Sequence, residues 1–288
     1  MGGGLMPAFD PGAHVDVQLA PGLTRSYSLA GDPAIRGHYE IGVHFSPQSR
    51  GGSRHIHERW RAGDIIEISA PKNNFPMVED APYTVLIAGG IGITPMLPMI
   101  ARLNRLGRAW ELHYVAASPE RAAYVAHVEA HDGVVVAFDG VPGGKRLDLK
   151  AICDAAPSDA HLYCCGPSGM LDAFVAINKE RPKDHIHIEY FSAETEVATE
   201  GGYTLELARS GQTIAVEEGE TMLDALLAVG VDVGFACGEG VCGTCEVKVL
   251  EGVPDHRDHF LSDEDKASNR SIMVCCSGSK SAKLVLDI

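Results

Sequence analysis

No apolar run in these 288 residues approaches the ~20 that an α-helix needs to cross a bilayer. Residues Met1 to Pro11 lack a basic flank ahead of an apolar stretch, so no secretory leader is expected. Basic side chains are scarce: 24 Lys and Arg against 39 Asp and Glu leave a net charge of −15. That balance argues against the nucleic-acid backbone as the main partner. Internal repeats and low-complexity tracts are missing, and aromatics make up only 6%. What is there is a 45% hydrophobic, 22% charged chain, long enough for about two domains and a large core. A cytoplasmic protein, monomeric and independent of membranes, is expected.

The eight cysteines are distributed unevenly. Cys153, Cys164 and Cys165 lie mid-chain, whereas Cys237, Cys242, Cys245, Cys275 and Cys276 fall within forty residues near the C-terminal end. In a reducing compartment such clustering signals a metal or catalysis more than disulfides. Cys237-GEGV-Cys242-GT-Cys245, with Cys275 far downstream, is a C-x4-C-x2-C…C pattern. This is the spacing of plant-type [2Fe–2S] sites. Four thiolates around two irons require a tightly turning loop, and Gly238, Gly240 and Gly243 stand between the ligands. Zinc, the competing metal, favours two short Cys-x2–4-Cys knuckles, and the second knuckle is missing. Spacing places Cys275, at the end of Ser271-Ile-Met-Val, as the fourth ligand ahead of its neighbour Cys276.

Three patterns divide the chain. From 14 to 70, apolar residues alternate: Val15, Val17, Leu19, then Tyr39, Ile41, Val43, Phe45, then Ile66 and Ile68. Period two with Gly and Pro punctuation predicts an antiparallel barrel or sandwich. From 84 to 190, strands alternate with helices. Strands are expected over 84–88, 110–116, 134–138, 161–165 and 185–190, and helices from Met96, over 119–130 and over 168–179. Such alternation predicts a doubly wound, mostly parallel sheet. The small, acidic Ser192–Gly202 stretch reads as a linker. Beyond it come strands over 204–209, 213–217 and 246–250, and a helix over 221–229.

Smaller motifs sit on this frame. Arg25-Ser-Tyr-Ser-Leu29 could give a flavin ring a wall, donors and a cation from one strand. Alone, such a stretch is usually only a strand. Arg50-Gly-Gly-Ser53 precedes a short helix and forms an anion cradle. His55 and His57 diverge at helical spacing and read as surface histidines. Gly89-Gly-Ile-Gly-Ile-Thr-Pro95 follows the buried strand and opens a helix, either as a phosphate turn or as a plain tight turn. It is not the GxGxxG fingerprint. Cys165-Gly-Pro167 falls at the carboxyl edge of the same sheet, where open α/β folds bind ligands.

Together, RSYSL, RGGS, GGIGITP, CGP, HIEYF and CGEGVCGTC…C resemble the phthalate dioxygenase reductase family, most of all its vanillate demethylase reductase type. The resemblance runs from about residue 7 to the end. It implies an FMN-binding barrel over 1–80, an NAD-binding doubly wound α/β domain over 81–192, a linker over 193–202 and a β-grasp ferredoxin domain over 203–288. Arg25, Tyr27, Ser28 and Leu29 would line FMN, with Val43 and His44 flanking it. Gly51, Gly52 and Ser53 would hold its phosphate, and Phe191 would cover the ring. Gly89, Gly90 and Gly92 would face the NAD phosphates, with Ser118 and Arg121 near the adenosine ribose. Cys165, Gly166 and Pro167 would lie near the nicotinamide, and Ser28, Thr94 and Cys165 at the reacting centre. The family carries about two dozen residues ahead of the position of Pro7, so a barrel short of its first strand is expected.

The resemblance implies electron flow from NADH to FMN, to the cluster and to a Rieske-type terminal oxygenase. A nicotinamide gives two electrons at once and a cluster takes one, so a flavin must convert between them. An iron–sulfur carrier with a non-functional flavin domain and a reductase for a haem-thiolate monooxygenase remain as alternatives. Residues 201–288 hold 15 acidic and 7 basic side chains, a balance of −8. The partner is therefore expected to dock on the ferredoxin domain, with Glu239, Glu246, Asp255 and Asp258 as contacts.

Overall fold

The computed structural model describes residues 4–46, 51–191 and 196–288. The chain divides into Met1–Phe191 and Ser192–Ile288. Among the described residues no helix is long and apolar enough to cross a membrane.

The first unit begins with β1 (Ala13–Ala20) and β2 (Leu23–Ser28), joined by a tight turn at Gly22. They pair antiparallel, with Val15 opposite Tyr27 and Val17 opposite Arg25. Alternation puts Val15 and Val17 into a core with Leu19 and Leu29, while Asp16 turns the other way to accept from Ser26 Oγ and Lys72 Nζ, each at 2.6 Å. The helix α1 (Gly52–Arg59) follows, then β3 (Glu67–Ile68) and β4 (Lys72–Asn73), both on β1. The expected strand over 39–45 is not one. Only Ile41 bridges, to Leu29, so the visible alternation there reflects side-chain packing without a ladder.

A five-stranded parallel sheet completes this unit. Its strands are β5 (Thr84–Gly89), β6 (Trp110–Ala116), β7 (Val134–Phe138), β8 (His161–Cys165) and β9 (Ile186–Glu189), in the order β7-β6-β5-β8-β9. Central β5 is buried along its whole length. Leu86 and Ala88 enter one core with α2 (Met96–Leu106), while Val85 and Ile87 enter another with α4 (Leu149–Ala155) and α5 (Ser168–Ile177). Each such Val, Leu or Ile side chain stabilises the fold by about 1.5–3 kcal/mol relative to exposure. Gly107, at φ +64°, closes α2 in the left-handed conformation that glycine adopts most cheaply.

The helix expected over 119–130 is broken. A 3₁₀ turn over Pro119–Arg121 and the short α3 (Val125–Val128) are separated by Tyr124 at φ +59°. Ala123 O is occupied by Tyr114 Oη at 3.1 Å, and this anchors the break from beneath.

The second unit carries a mixed sheet of β10 (Tyr203–Leu207), β11 (Thr213–Val216), β12 (Glu246–Glu251), β14 (Ser271–Met273) and β16 (Lys283–Leu286), in the order β11-β10-β16-β12-β14. A two-stranded ribbon joins β13 (Pro254–Asp255) to β15 (Gly278–Ser279). Helix α6 (Met222–Ala228) buries Met222, Leu223, Ala225 and Leu226 against the sheet core. Its start is fixed by a reciprocal capping box between Thr221 and Asp224, an arrangement whose side-chain cap stabilises by about 1 kcal/mol. Helix α7 (Asp263–Ser268) is capped by Ser262. Residues 193–202 are not a free linker where they are described. Ala198 is buried with its N–H on Cys276 O at 2.8 Å, and Gly219 N donates to Thr199 O at 2.8 Å.

Candidate functional site

The parallel sheet is the frame of the first site. Its order reverses between β5 and β8, and the loops leaving these strands meet there. A Cβ at Gly89 would stand 2.7 Å from Pro167 Cδ, and one at Gly92 would collide with Cys165 O. Glycine at both positions therefore lets the turn after β5 lie directly on Cys165-Gly166-Pro167. Gly90 adopts φ +56° with open space around its Cβ position. The two motifs form one surface at the carboxyl edge of the sheet, where such folds bind ligands. Thr94 is buried, with Oγ1 donating to Ile91 O at 2.9 Å and its methyl against Gly42. This contact sets Gly42, next to Val43 and His44, against the turn that follows β5.

Ser28 and Cys165 are brought together by a residue that the sequence reading left unassigned. Glu189, at the end of β9, accepts from Ser28 Oγ at 3.3 Å and faces Cys165 Sγ at 4.0 Å. Burial raises the Glu189 carboxyl to about 8, partly opposed by the Ser28 hydrogen bond. Burial, with Glu189 nearby, also pushes the Cys165 thiol well up. At neutral pH both groups hold their protons, so Cys165 is no thiolate nucleophile. The only sequence signal for Glu189 was its place in HIEYF.

Arg25 lies across the start of α1: a Cβ at Gly52 would stand 2.8 Å from Arg25 Cγ. Gly51 precedes the helix at φ +95°, so the first N–H groups of α1 and the Arg25 side chain form one cationic corner. Ser53 Oγ accepts from Ser46 N at 3.3 Å. Arg50 lies outside the described residues. Tyr27 is half-buried beside Arg25 on β2. Leu29, expected at the flavin, is instead fully buried in the core of the β1 sheet. His57 Nε2 stands 2.9 Å from Val43 O. His44 is held below its usual range by burial and by the neighbouring Arg121 and His57. Ser118 and Arg121 frame the 3₁₀ turn beyond β6, with Arg121 exposed. Phe191 is partly exposed after β9. These residues fit a phosphate-bearing flavin and a dinucleotide: the corner supplies cations and N–H donors, and Gly89 and Gly92 allow close approach of a backbone.

In the second unit, Cys237, Cys242, Cys245 and Cys275 are all buried. Cys237 lies within hydrogen-bonding reach of Cys242 and Cys275, and Cys275 of Cys245. The Cys237 thiol is drawn down by these neighbours, while Cys275, their shared donor, is pushed up. Among the described residues no three ligating side chains surround one point as a single metal ion requires. The four thiols form one connected set, with Cys237 and Cys275 at its centre, and supply the four sulfurs that a two-iron cluster takes. Glu239 N–H points to Cys237 Sγ at 3.4 Å, a donor toward a ligand sulfur. Gly238, Gly240 and Gly243 all have φ near +70°. The donor set therefore fits [2Fe–2S]. Cys276 Sγ turns to Met273 O and Ser277 Oγ, each at 3.8 Å.

A parallel α/β sheet with a glycine-lined switch point, joined in one chain to four gathered, buried thiols, defines an electron-transferring oxidoreductase. Comparison with known proteins agrees. Residues 205–279 match the 2Fe-2S iron-sulfur cluster binding domain. The chain is similar to phenoxybenzoate dioxygenase subunit beta of Ectopseudomonas oleovorans, 52% identical over 99% of this chain and 89% of that one. The crystal structure of phthalate dioxygenase reductase matches with a TM-score of 0.76 and 35% identity, over 99% of this chain and 90% of that chain. An intact type IV self-sufficient cytochrome P450 monooxygenase matches with a TM-score of 0.85 and 34% identity over 99% of this chain, which spans only 38% of that longer one. The chain belongs to the phthalate dioxygenase reductase family of oxygenase reductases.

Proposed function

We propose that this chain is an NADH-dependent reductase component passing electrons through FMN and [2Fe–2S] to a Rieske-type aromatic oxygenase or demethylase. The gathering of four buried thiols, Cys237, Cys242, Cys245 and Cys275, into one connected set in a chain of this family is the observation that carries the reading. A bound flavin would take one hydride, two electrons at once, from the nicotinamide and supply electrons singly to a cluster.

The chain's own groups bind and orient. Arg25, Gly51, Gly52 and Ser53 would take the FMN phosphate, Tyr27 and Ser28 its ring, and Phe191 its outer face. Gly89, Gly90 and Gly92 would admit the dinucleotide phosphates to the start of the turn before α2. Cys165-Gly-Pro167 would limit the nicotinamide's position, and Glu189 would keep Ser28 oriented through its carboxyl. Cys237, Cys242, Cys245 and Cys275 would hold the cluster. NADH is favoured over NADPH, because a 2′-phosphate needs several cations. Arg121 is one, and its neighbour His44 is kept neutral by burial.

A second reading, delivery to a haem-thiolate monooxygenase, is favoured by the P450 likeness. The test is an anaerobic NADH titration of the purified holoprotein, with extracted flavin identified and iron and sulfide assayed. Reduction of a Rieske oxygenase component is then compared with that of a haem-thiolate protein. FMN, two irons per chain and turnover of the Rieske component are expected. FAD, or preference for the haem protein, would overturn the reading, and a protein without flavin bands would be a carrier alone.

A further inference from the structure

The segment between β13 and α7 lies over the thiol loop. A Cβ at Gly240 would stand 2.9 Å from Asp258 Cα and would collide with Cys276 Sγ, and one at Gly243 would collide with the Phe260 ring. His259 N donates to Gly240 O at 3.0 Å. The loop bearing Cys237, Cys242 and Cys245 is thus gripped by residues 258–260, and at Gly240 Cys276 packs in as well.

Asp258 fastens this grip. Its side chain is wholly buried. Oδ2 accepts from Leu261 N at 2.8 Å, and Lys266 Nζ stands 3.9 Å from Oδ2 while donating to the Asp258 main-chain O at 2.5 Å. Oδ1 has no hydrogen-bond partner among the described residues and faces His256 Nδ1 at 3.6 Å. Docking on a partner, expected of Asp258 from sequence, is ruled out by this burial. A buried carboxylate with one oxygen unpaired is costly, and an asparagine would accept from Leu261 N without that cost. The charge itself therefore calls for a role.

We propose that Asp258 is a positioning residue for the iron–sulfur loop. It pins residues 258–260 onto Gly240 and Gly243, so that the loop thiols already face Cys275, and its negative charge lowers the reduction potential of the assembled cluster. The inference rests on reading the four thiols as ligands. It names a buried group that tunes them, a lever distinct from the ligands themselves.

Four variants of the full-length holoprotein test it. Asp258→Asn keeps the acceptor for Leu261 N and removes the charge. Asp258→Ala removes both. Thr221→Ala weakens the α6 cap without touching residues 258–260 and controls for general loss of stability in the same unit. Cys237→Ser controls for the ligand reading. Iron content, chelator-driven iron release and midpoint potential are measured beside thermal unfolding. Asp258→Asn should hold full iron and shift the potential positive. Asp258→Ala should release iron at least ~10-fold faster than Thr221→Ala. An unmoved potential in Asp258→Asn, or release from Asp258→Ala no faster than from Thr221→Ala, overturns the proposal. Full iron in Cys237→Ser would overturn the ligand reading, and the proposal with it.

Discussion

Glu189 shows what one buried carboxyl imposes on its surroundings. Its proton is held to about 8 because burial disfavours the charge. The folded state therefore binds more protons than the unfolded chain between the ordinary carboxyl range and pH 8. The stability this group contributes is full at low pH and is lost as pH rises through about 8. NADH-driven reduction of an artificial acceptor is expected to fall on an alkaline limb near that value. In Glu189→Gln that limb should flatten, with activity below pH 7 within about threefold of the parent. A limb unchanged in the variant would assign the titration elsewhere. The cysteines give a second residue-scale prediction. Cys275→Ser should lose iron and sulfide, and Cys276→Ser should keep both, because Cys275 is the neighbour that reaches Cys237 and Cys245. The reverse pattern in an iron assay would exchange their roles.

Among the elements, β9 is an edge strand with a histidine stack beneath it. His187 lies on Tyr163 with ring centroids 4.2 Å apart, and His161 Nδ1 meets His187 Nε2 at 2.9 Å. His185 lies 4.5 Å from His161. Burial, with His161 and His185 close by, lowers His187 to about 4, against the opposing pull of Asp184. A histidine lowered in the folded state contributes stability at neutral pH that is lost as pH falls from its ordinary value toward 4. His187→Phe keeps the stack and removes the titration, so its acid unfolding midpoint should drop by roughly half a pH unit. A midpoint that stays or rises would show that other groups set acid unfolding. Elements also mark where the sequence was legible. The thiol loop could be read because its chemistry is written as spacing on nine consecutive residues. The five parallel strands could be read because β5 is apolar on both faces. The Tyr39–Phe45 alternation misled, since period two states which faces are apolar and not whether a neighbouring strand exists. The break at Tyr124 was hidden because nothing in local composition demands a left-handed tyrosine. Glu189 was hidden because its partner Ser28 is 161 positions away.

At the scale of the whole molecule, the acidic side chains are distributed unevenly. The balance of −8 on residues 201–288 is more than half of the chain's −15. The structure sorts those acids. Asp258 is buried, and Asp255 is tied to Arg257 at 2.8 Å and to Lys280 at 3.5 Å. Glu239 is half-buried within the loop. Asp232 and Glu246 are exposed on either side of the loop that carries Cys237, Cys242 and Cys245. A cluster must come close to its acceptor, so charges flanking this loop are those that a partner docking over it would meet. Charge-guided docking raises the on-rate and is screened over a Debye length of ~10 Å at 0.1 M salt. Electron delivery to the oxygenase component is therefore expected to slow by roughly three- to tenfold between 50 and 500 mM salt. Reduction of a small acceptor in the same series should change much less. Asp232→Asn with Glu246→Gln should slow delivery at low salt and converge with the parent at high salt, with iron content unchanged. Equal salt sensitivity in both assays, or a double variant indistinguishable from the parent at low salt, would leave these acids as a solvated face that serves solubility alone.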